Sequence, residues 1–309
     1  MSSIRFSPTL RRNLTGYAFV LPWLVSLIVF TAYPTLASFY FAGTEYTLLN
    51  PPRWIGLQNF KVMFDQDPLF WKSVGNTLYY VLLSVPLQLG VGLGLAVLLN
   101  AQVRAIGIFR TIYYLPALVP AVAAGLLWYV LLDPRMGLVN AGLELIGLPR
   151  LGWLRSPDWA MPGLVLIAIW GGSGSAMLIF LAGLKDIPAS LLEAATIDGA
   201  GALRRFWHVT LPLLSPTIFF NLLISIIASF QVFATALAVA AAAGGSGDVG
   251  PLNALLVYMV LLYRNAFRYF QMGYASAMAL VLFLVLVVIT LALARSSSLW
   301  VYYEGGSRR

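Results

Sequence analysis

The chain has 309 residues, 60% of them hydrophobic and 10% charged, with a formal net charge of +8. A soluble domain of this size carries about 25% charged residues, so there is too little polar surface here to cover a soluble globule, and the composition is that of a polytopic membrane protein. No cysteine is present and His208 is the sole histidine, which excludes disulfides, thiol catalysis, thiolate sites and multi-histidine metal centres.

Six runs free of Asp, Glu, Lys and Arg reach the roughly 20 apolar residues needed to cross a bilayer. They are Tyr17 to Gly43, Ser73 to Ala101, Thr111 to Leu132, Trp159 to Leu184, Leu213 to about Ala240, and Tyr269 to Ala294. The expected fold is therefore all-α, with six transmembrane helices. Arg5, Arg11 and Arg12 precede the first run, which is too long for the apolar core of a cleavable signal and is read as a retained span. Pro34, Pro86, Pro116 and Pro120 lie inside runs and are expected to kink them.

Loop charge sets the orientation. With the N-terminus inside, eleven cations fall inside (Arg5, Arg11, Arg12, Arg104, Arg110, Lys185, Arg204, Arg205, Arg295, Arg308, Arg309) and eight outside. Residues 1–16 then form a cytoplasmic N-terminal segment, 17–295 the membrane domain and 296–309 a cytoplasmic tail. On the outer side, Thr44 to Lys72 and Asp133 to Asp158 are long loops, the second with a short amphipathic helix around Leu138 to Ile146. The glycine cluster Gly244 to Gly250 breaks the chain, and Pro251 to Tyr263, apolar but too short to span, reads as a re-entrant or surface helix.

The longest polar interruption between two spans is Lys185 to Pro216. Ser190 and Glu193 stand at capping-box spacing, Gly199 and Gly201 suit a helix stop and turn, and Ala202 to Val209 fits a second short helix. The segment reads as helix–turn–helix outside the membrane.

Its spacing of Glu193, Ala194, Ala195, Gly199, Val209, Leu211 and Pro212 resembles the EAA loop of bacterial ABC importer permeases, with Val209 where Ile is usual. The outer loops, the Tyr263 to Phe267 stretch and the Met272 to Ala277 stretch are similar to the maltose-type branch that takes up carbohydrates, although Ala241 to Gly247 departs from its usual turn. The resemblance spans roughly Phe19 to Arg295. It implies a type I ABC importer-like transmembrane domain in the bacterial inner membrane, with loop 185–212 as a coupling helix for a separate ATPase. Glu193, Ala194, Ala195, Asp198, Gly199, Leu211 and Pro212 would carry that contact; Glu193 would otherwise only complete its own cap. The partners implied are two ATP-binding subunits, a second homologous permease, an extracytoplasmic solute-binding protein and lipid, but no nucleic acid. ATP and Mg would belong to the ATPase subunits, leaving this chain without a cofactor, metal or catalytic residue.

Two spans carry groups suited to a polar solute. The fourth holds Trp170-Gly-Gly-Ser-Gly-Ser175, which is either a small-residue packing face or a locally opened helix. The fifth holds Asn221, Ser225, Ser229, Phe230 and Gln231, with Asn221, Ser225 and Ser229 on one face. Counting from the EAA-like motif, the resemblance puts Gly172, Ser175, Ser225 and Ser229 at sugar-lining positions; Trp170 and Phe230 could stack on a sugar ring or face core and lipid, and Gln231 completes the expected path. No G-x-x-x-x-G-K-[ST] loop is present and no span holds an ionisable group, so the energy must come from outside the chain. A sugar importer permease is the expectation; a glycerol phosphate importer and a stand-alone facilitator for a neutral solute are the alternatives.

Overall fold

The structure, a computed structural model, describes residues 8–101, 104–243 and 249–302, with side chains from residue 16 onward. Arg5, Arg308, Arg309 and most of the glycine cluster at 244–250 lie outside the described residues. The helices are α1 (Pro8–Leu27), α2 (Tyr33–Ala42), α3 (Gln58–Asp65), α4 (Pro68–Leu99), α5 (Ile106–Tyr114), α6 (Ala121–Leu131), α7 (Leu138–Leu145), α8 (Pro157–Lys185), α9 (Ala189–Ile197), α10 (Ala202–Arg205), α11 (Leu211–Leu213), α12 (Ser215–Phe230), α13 (Ala234–Ala242), α14 (Tyr258–Tyr263) and α15 (Met272–Trp300). One two-stranded hairpin, β1 (Thr44–Thr47) and β2 (Asn50–Trp54), interrupts the all-helical expectation.

The described residues divide into two compact units. One runs to Gln66 and includes Leu262–Leu284; the other comprises Asp67–Leu261 and the chain from Val285.

In the first unit, Gly16–Ala42 is a single apolar span. Proline has no N–H and its ring crowds the carbonyl four residues back; a π turn over Ile28–Ala32, just before Pro34, absorbs this without breaking the span. The hairpin follows, with Glu45 opposite Arg53 and joined to it by an exposed ion pair of 2.7 Å. Asn59 donates to the carbonyls of Ala42 and Thr44, both at 2.9 Å, tying α3 to the end of the span. Pro51 and Pro52 cannot donate to a ladder, which suits an edge strand.

In the second unit, α4 and α8 pack along their lengths, and α12 packs on both. Asp67 caps α4 by accepting from Leu69 N at 2.9 Å and Phe70 N at 3.2 Å. The helix then runs through Pro86 to Leu99. The third apolar run is not one straight helix. Ile106–Leu118 and Ala121–Leu131 meet at 98°, because Pro120 holds Val119 extended (ψ 125°) and ends the first piece. The fifth run is also divided: α12 stops at Phe230 and α13 starts at Ala234. Among the described residues, four helices are long and apolar enough to cross a membrane, or six if Ile106–Leu118 with Ala121–Leu131, and Ala202–Leu213 with Ser215–Phe230, are each one bent span.

The expected helix over Pro251 to Tyr263 forms only from Tyr258. Upstream, Leu252 and Asn253 adopt left-handed backbone (φ 51° and 58°), and Leu255, Leu256 and Val257 are fully buried. Side chains of α4 hold this stretch. Lys72 donates to Leu252 O (2.5 Å), Asn76 to Asn253 O (3.1 Å) and Leu256 O (3.0 Å), and Thr77 Oγ1 accepts from Tyr258 N (2.8 Å).

The loop between α6 and α8 is built on Asn140. Its amide donates to Pro134 O and Leu151 O, and its carbonyl accepts from Leu151 N and Trp153 Nε1. Arg155 pairs with Asp133 at 2.6 Å, and Arg150 pairs with Glu144. Backbone N–H groups of Met136 and Arg135 hold the Asp133 carboxyl below the usual carboxylate range, and the Arg150 guanidinium does the same for Glu144.

Candidate functional site

Two features stand out: the loop from Lys185 to Leu213 and a cavity among α4, α8 and α12. In the loop, α9 begins at Ala189 with Pro188 at its N-cap, and no side chain caps it. Ser190 is already inside the helix, so the capping box expected from Ser190 and Glu193 does not form: a helical backbone at 190 cannot present the hydroxyl to the first turn. Glu193 is left exposed and without a partner among the described residues. At the other end, Gly199 takes φ +77°, its N–H bonds Thr196 O at 3.0 Å, and Ala200 N bonds Ala195 O at 2.9 Å. These two bonds make a Schellman stop, which favours glycine at its left-handed position.

The second short helix is mixed. After α10, residues Phe206–Thr210 form a π turn that runs into α11, and Ala202–Leu213 meets α12 at 66°. Arg205 donates to Thr196 Oγ1 at 2.5 Å, fastening the second half of the loop to α9. A shallow recess of about 550 Å³ lies along Gly201, Ala202, Leu203, Arg204, Trp207 and His208. Ile197 (86%), Leu203 (72%) and Trp207 (57%) are exposed. Leu192 of α9 packs against a buried cluster containing Leu99 of α4, Phe180 and Leu184 of α8, and Leu214. The loop therefore presents Glu193 and uncovered apolar side chains outward and seats one leucine against the helix bundle.

The cavity has a volume of about 390 Å³, within the range of small-ligand sites. It is lined by Gly172 and Ser175 of α8, by Asn221, Ser225 and Ser229 of α12, by Tyr80 and Gln88 of α4, and by apolar residues around Pro116 and Ala121. No lining residue is charged. Ser225 and Ser229 bond to no described residue, whereas Ser173 returns its hydroxyl to Ile169 O at 2.5 Å. Asn221 is 3% exposed and its Nδ2 has no partner among the described residues. Leaving such a donor buried and unpaired costs about 1–3 kcal/mol.

Of the residues expected along a solute path, Gly172, Ser175, Ser225 and Ser229 meet at this cavity. Trp170, Phe230 and Gln231 do not line it. Trp170 packs edge-on against Trp128, with ring centroids 5.7 Å apart; Phe230 is buried elsewhere and Gln231 is exposed. The glycine-serine run is not opened, since α8 is continuous from Pro157 to Lys185. Its faces instead divide the two readings. Gly174 packs so close to the Tyr113 backbone that a Cβ would sit 2.6 Å from its carbonyl oxygen, while Gly171, Gly172 and Ser175 face the cavity. The α4 lining was missed. Tyr80, Ser84 and Gln88 are polar residues spaced by four in an apolar run, a stripe at helical spacing that could have identified it.

Comparison with known proteins gives consistent matches. The sequence profile of the family described as "Binding-protein-dependent transport system inner membrane component" matches residues 88–298. The Bacillus subtilis (strain 168) protein named "Probable ABC transporter permease protein YesP" is 43% identical over 94% of this chain and 93% of its own length. The sulfoquinovosyl glycerol transport system permease protein SmoG of Agrobacterium fabrum is 36% identical over 83% of this chain and 80% of its own. Among solved structures, a bacterial ABC transporter involved in the import of the acidic polysaccharide alginate superposes with a TM-score of 0.81 at 26% identity, covering 94% of this chain and 96% of that one. The alginate transporter in complex with an alginate pentasaccharide-bound periplasmic protein gives a TM-score of 0.80.

Proposed function

Because the chain belongs to the family of binding-protein-dependent transport system inner membrane components, we propose that it is the permease subunit of an ATP-driven importer. It carries a neutral mono- or oligosaccharide across the bacterial cytoplasmic membrane by alternating access, with both termini in the cytoplasm. The observation that carries this reading is the continuity of α9–α12. One stretch of chain presents an uncovered Glu193 and, past the turn at Gly199 and the 66° bend before α12, lines an uncharged polar cavity.

Closure of two separate ATPase subunits on ATP and Mg would push on α9, with Glu193 meeting a basic group and Ala194, Ala195, Asp198 and Gly199 shaping the knob that fits their groove. A charged contact on a small apolar knob is both attractive and geometrically selective. Leu211 and Pro212 join this lever to α12. Leu192, packed against the buried cluster, would transmit the displacement to α4 and α8. Ser175, Ser225 and Ser229 offer neutral hydrogen-bonding groups along the path, beside the bare backbone of Gly172, and no bond is made or broken in this chain. An anion such as glycerol phosphate would want a basic lining group, and the cavity has none. A second homologous permease supplies the other half of the path. A periplasmic binding protein delivers the sugar; the alginate transporter's complex with such a protein supports that partner.

The test is purification of the chain from its native membrane in mild detergent, followed by reconstitution. ATPase subunits, a second permease and a sugar-binding protein are expected to co-purify, and Glu193→Lys is expected to abolish ATP-dependent uptake. Recovery of the chain alone, with uptake indifferent to Glu193→Lys, would point instead to a facilitator.

A further inference from the structure

The cavity has a wall that the serine face of α12 does not account for. On α4, Tyr80 and Gln88 line it two helical turns apart. The Gln88 carboxamide lies directly over Gly172, where a Cβ would overlap its Cδ, Oε1 and Nε2 atoms. Hydrogen at position 172 is thus what leaves room for an amide inside the cavity. That amide bonds to no described residue. Asn221, on α12, brings a second carboxamide whose Nδ2 is buried and unpaired. One buried, unpaired carboxamide and one partly exposed carboxamide with no described protein partner line the same uncharged cavity, and a guest can complete their bonds. A carboxamide both donates and accepts, as a hydroxyl does, so it suits a polyol better than a carboxylate or an ammonium.

We propose that Gln88 and Asn221 are specificity-determining residues that exchange hydrogen bonds with hydroxyl groups of a neutral carbohydrate, with Gln88 held in place by the absence of a side chain at Gly172. The proposal rests on the sugar-permease reading above and adds to the serines of that path two carboxamides, Gln88 on α4 and Asn221 at the start of the α12 serine face. A site that hydrogen-bonds a hydroxyl discriminates against the analogue lacking it, because its own polar groups are then left unpaired.

The experiment uses the full transporter in proteoliposomes: this chain with its partner permease, ATPase subunits and binding protein. The probes are radiolabelled maltose, lactose, cellobiose, xylobiose and arabinobiose, followed by monodeoxy derivatives of whichever is taken up. Binding-protein-stimulated ATPase activity reports that each variant is assembled. Gln88→Leu is expected to raise KM for the parent sugar about three- to tenfold, the value of one lost neutral hydrogen bond, and to leave KM for one monodeoxy derivative nearly unchanged. Gln88→Asn, which keeps the carboxamide, is expected to restore part of the loss. Gly172→Ala is expected to mimic Gln88→Leu, and Gly172→Ala with Gln88→Ala to be no worse than Gln88→Ala alone, because the two positions share one space.

If Ser229→Leu blocks uptake while Gln88→Leu and Gly172→Ala leave KM unchanged for every sugar and derivative, the proposal is overturned and the sugar-permease reading stands. If Ser229→Leu also transports as wild type, the cavity is not the sugar path and both fall.

Discussion

The backbone N–H of Tyr302 donates to Ser215 Oγ at 2.8 Å, and the same hydroxyl donates to Pro212 O at 2.6 Å. One serine thus joins the far end of α15 to the bend between α11 and α12. Nearby, Trp300 packs edge-on against Phe219, with ring centroids 5.9 Å apart, and Val301 is buried. Ser215→Ala removes both bonds, each worth about 1 kcal/mol. The detergent-solubilised transporter is expected to melt at a lower temperature and to hydrolyse more ATP per sugar carried. A melting point and a coupling ratio equal to wild type would show that this junction is idle.

Gly199 closes α9 at φ +77°, a conformation that costs a β-branched residue of order 1–3 kcal/mol. No neighbour crowds the position, so the effect of Gly199→Val is expected to be confined to the angle of the loop. Membrane insertion should be normal and uptake strongly reduced. Gly199→Asn, which tolerates left-handed backbone, should retain much of the activity. Equal uptake by the valine variant and wild type would remove the angle of α9 from the mechanism.

Ser229 is buried at the cavity wall. Leucine there fills part of the cavity and removes a hydroxyl, so Ser229→Leu is expected to cut uptake at least tenfold while the ATPase subunits still assemble. Quantitative co-purification alongside initial-rate uptake separates the two effects; unimpaired transport would take Ser229 out of the path.

The carboxyls of Asp133 and Glu144 are both held below their ordinary range, the first by backbone N–H groups and the second by Arg150. A lowered folded-state value means that the ordering contribution is present above the unfolded carboxylate range and is lost as the pH falls through the lowered values. Glu144 is exposed and Asp133 is only partly buried in a surface loop, so the effect is expected to be modest and local. Hydrogen exchange of residues 133–155 should stay slow at neutral pH and quicken only in acid below the usual carboxylate range. Quickening already near pH 6 would contradict these contacts.

The chain has no native cysteine, so a single introduced thiol gives a clean topology probe. Arg204 is exposed in the loop. Arg204→Cys is expected to react with an impermeant maleimide only in inside-out vesicles. Labelling in intact spheroplasts would reverse the orientation drawn from the loop charges.

The spans were legible because solvation leaves little choice: twenty apolar residues without a charge have few other places to go. Their breaks were partly legible. Proline marked the turn at Val119 and Pro120, but its 98° angle depends on what α5 and α6 pack against. The interruption at Gln231–Phe233 has no proline or glycine to announce it. The hairpin from Thr44 to Trp54 was hidden because Asn50-Pro-Pro has the composition of a loop. Ser190 and Glu193 matched a cap in spacing, yet Pro188 had already fixed the helix boundary. The serine face of α12 declared itself through three polar residues in a short apolar helix. Gln88 belonged to a polar stripe with Tyr80 and Ser84 at helical spacing, but its place over Gly172 depends on how α4 and α8 pack.

Leu214 is fully buried in the cluster that joins α4 and α8, and the 66° bend turns about it. Within α9–α12, the knob proposed to fit the motor lies before this residue, and the serine face that lines the cavity lies after it. Such a partition lets descent act on the two separately. If the cavity selects the solute, exchanges at positions 88, 175, 225 and 229 would change the diet of a lineage while the knob around Glu193 stayed as it was, so a duplicated gene could acquire a new nutrient and continue to run on an old ATPase.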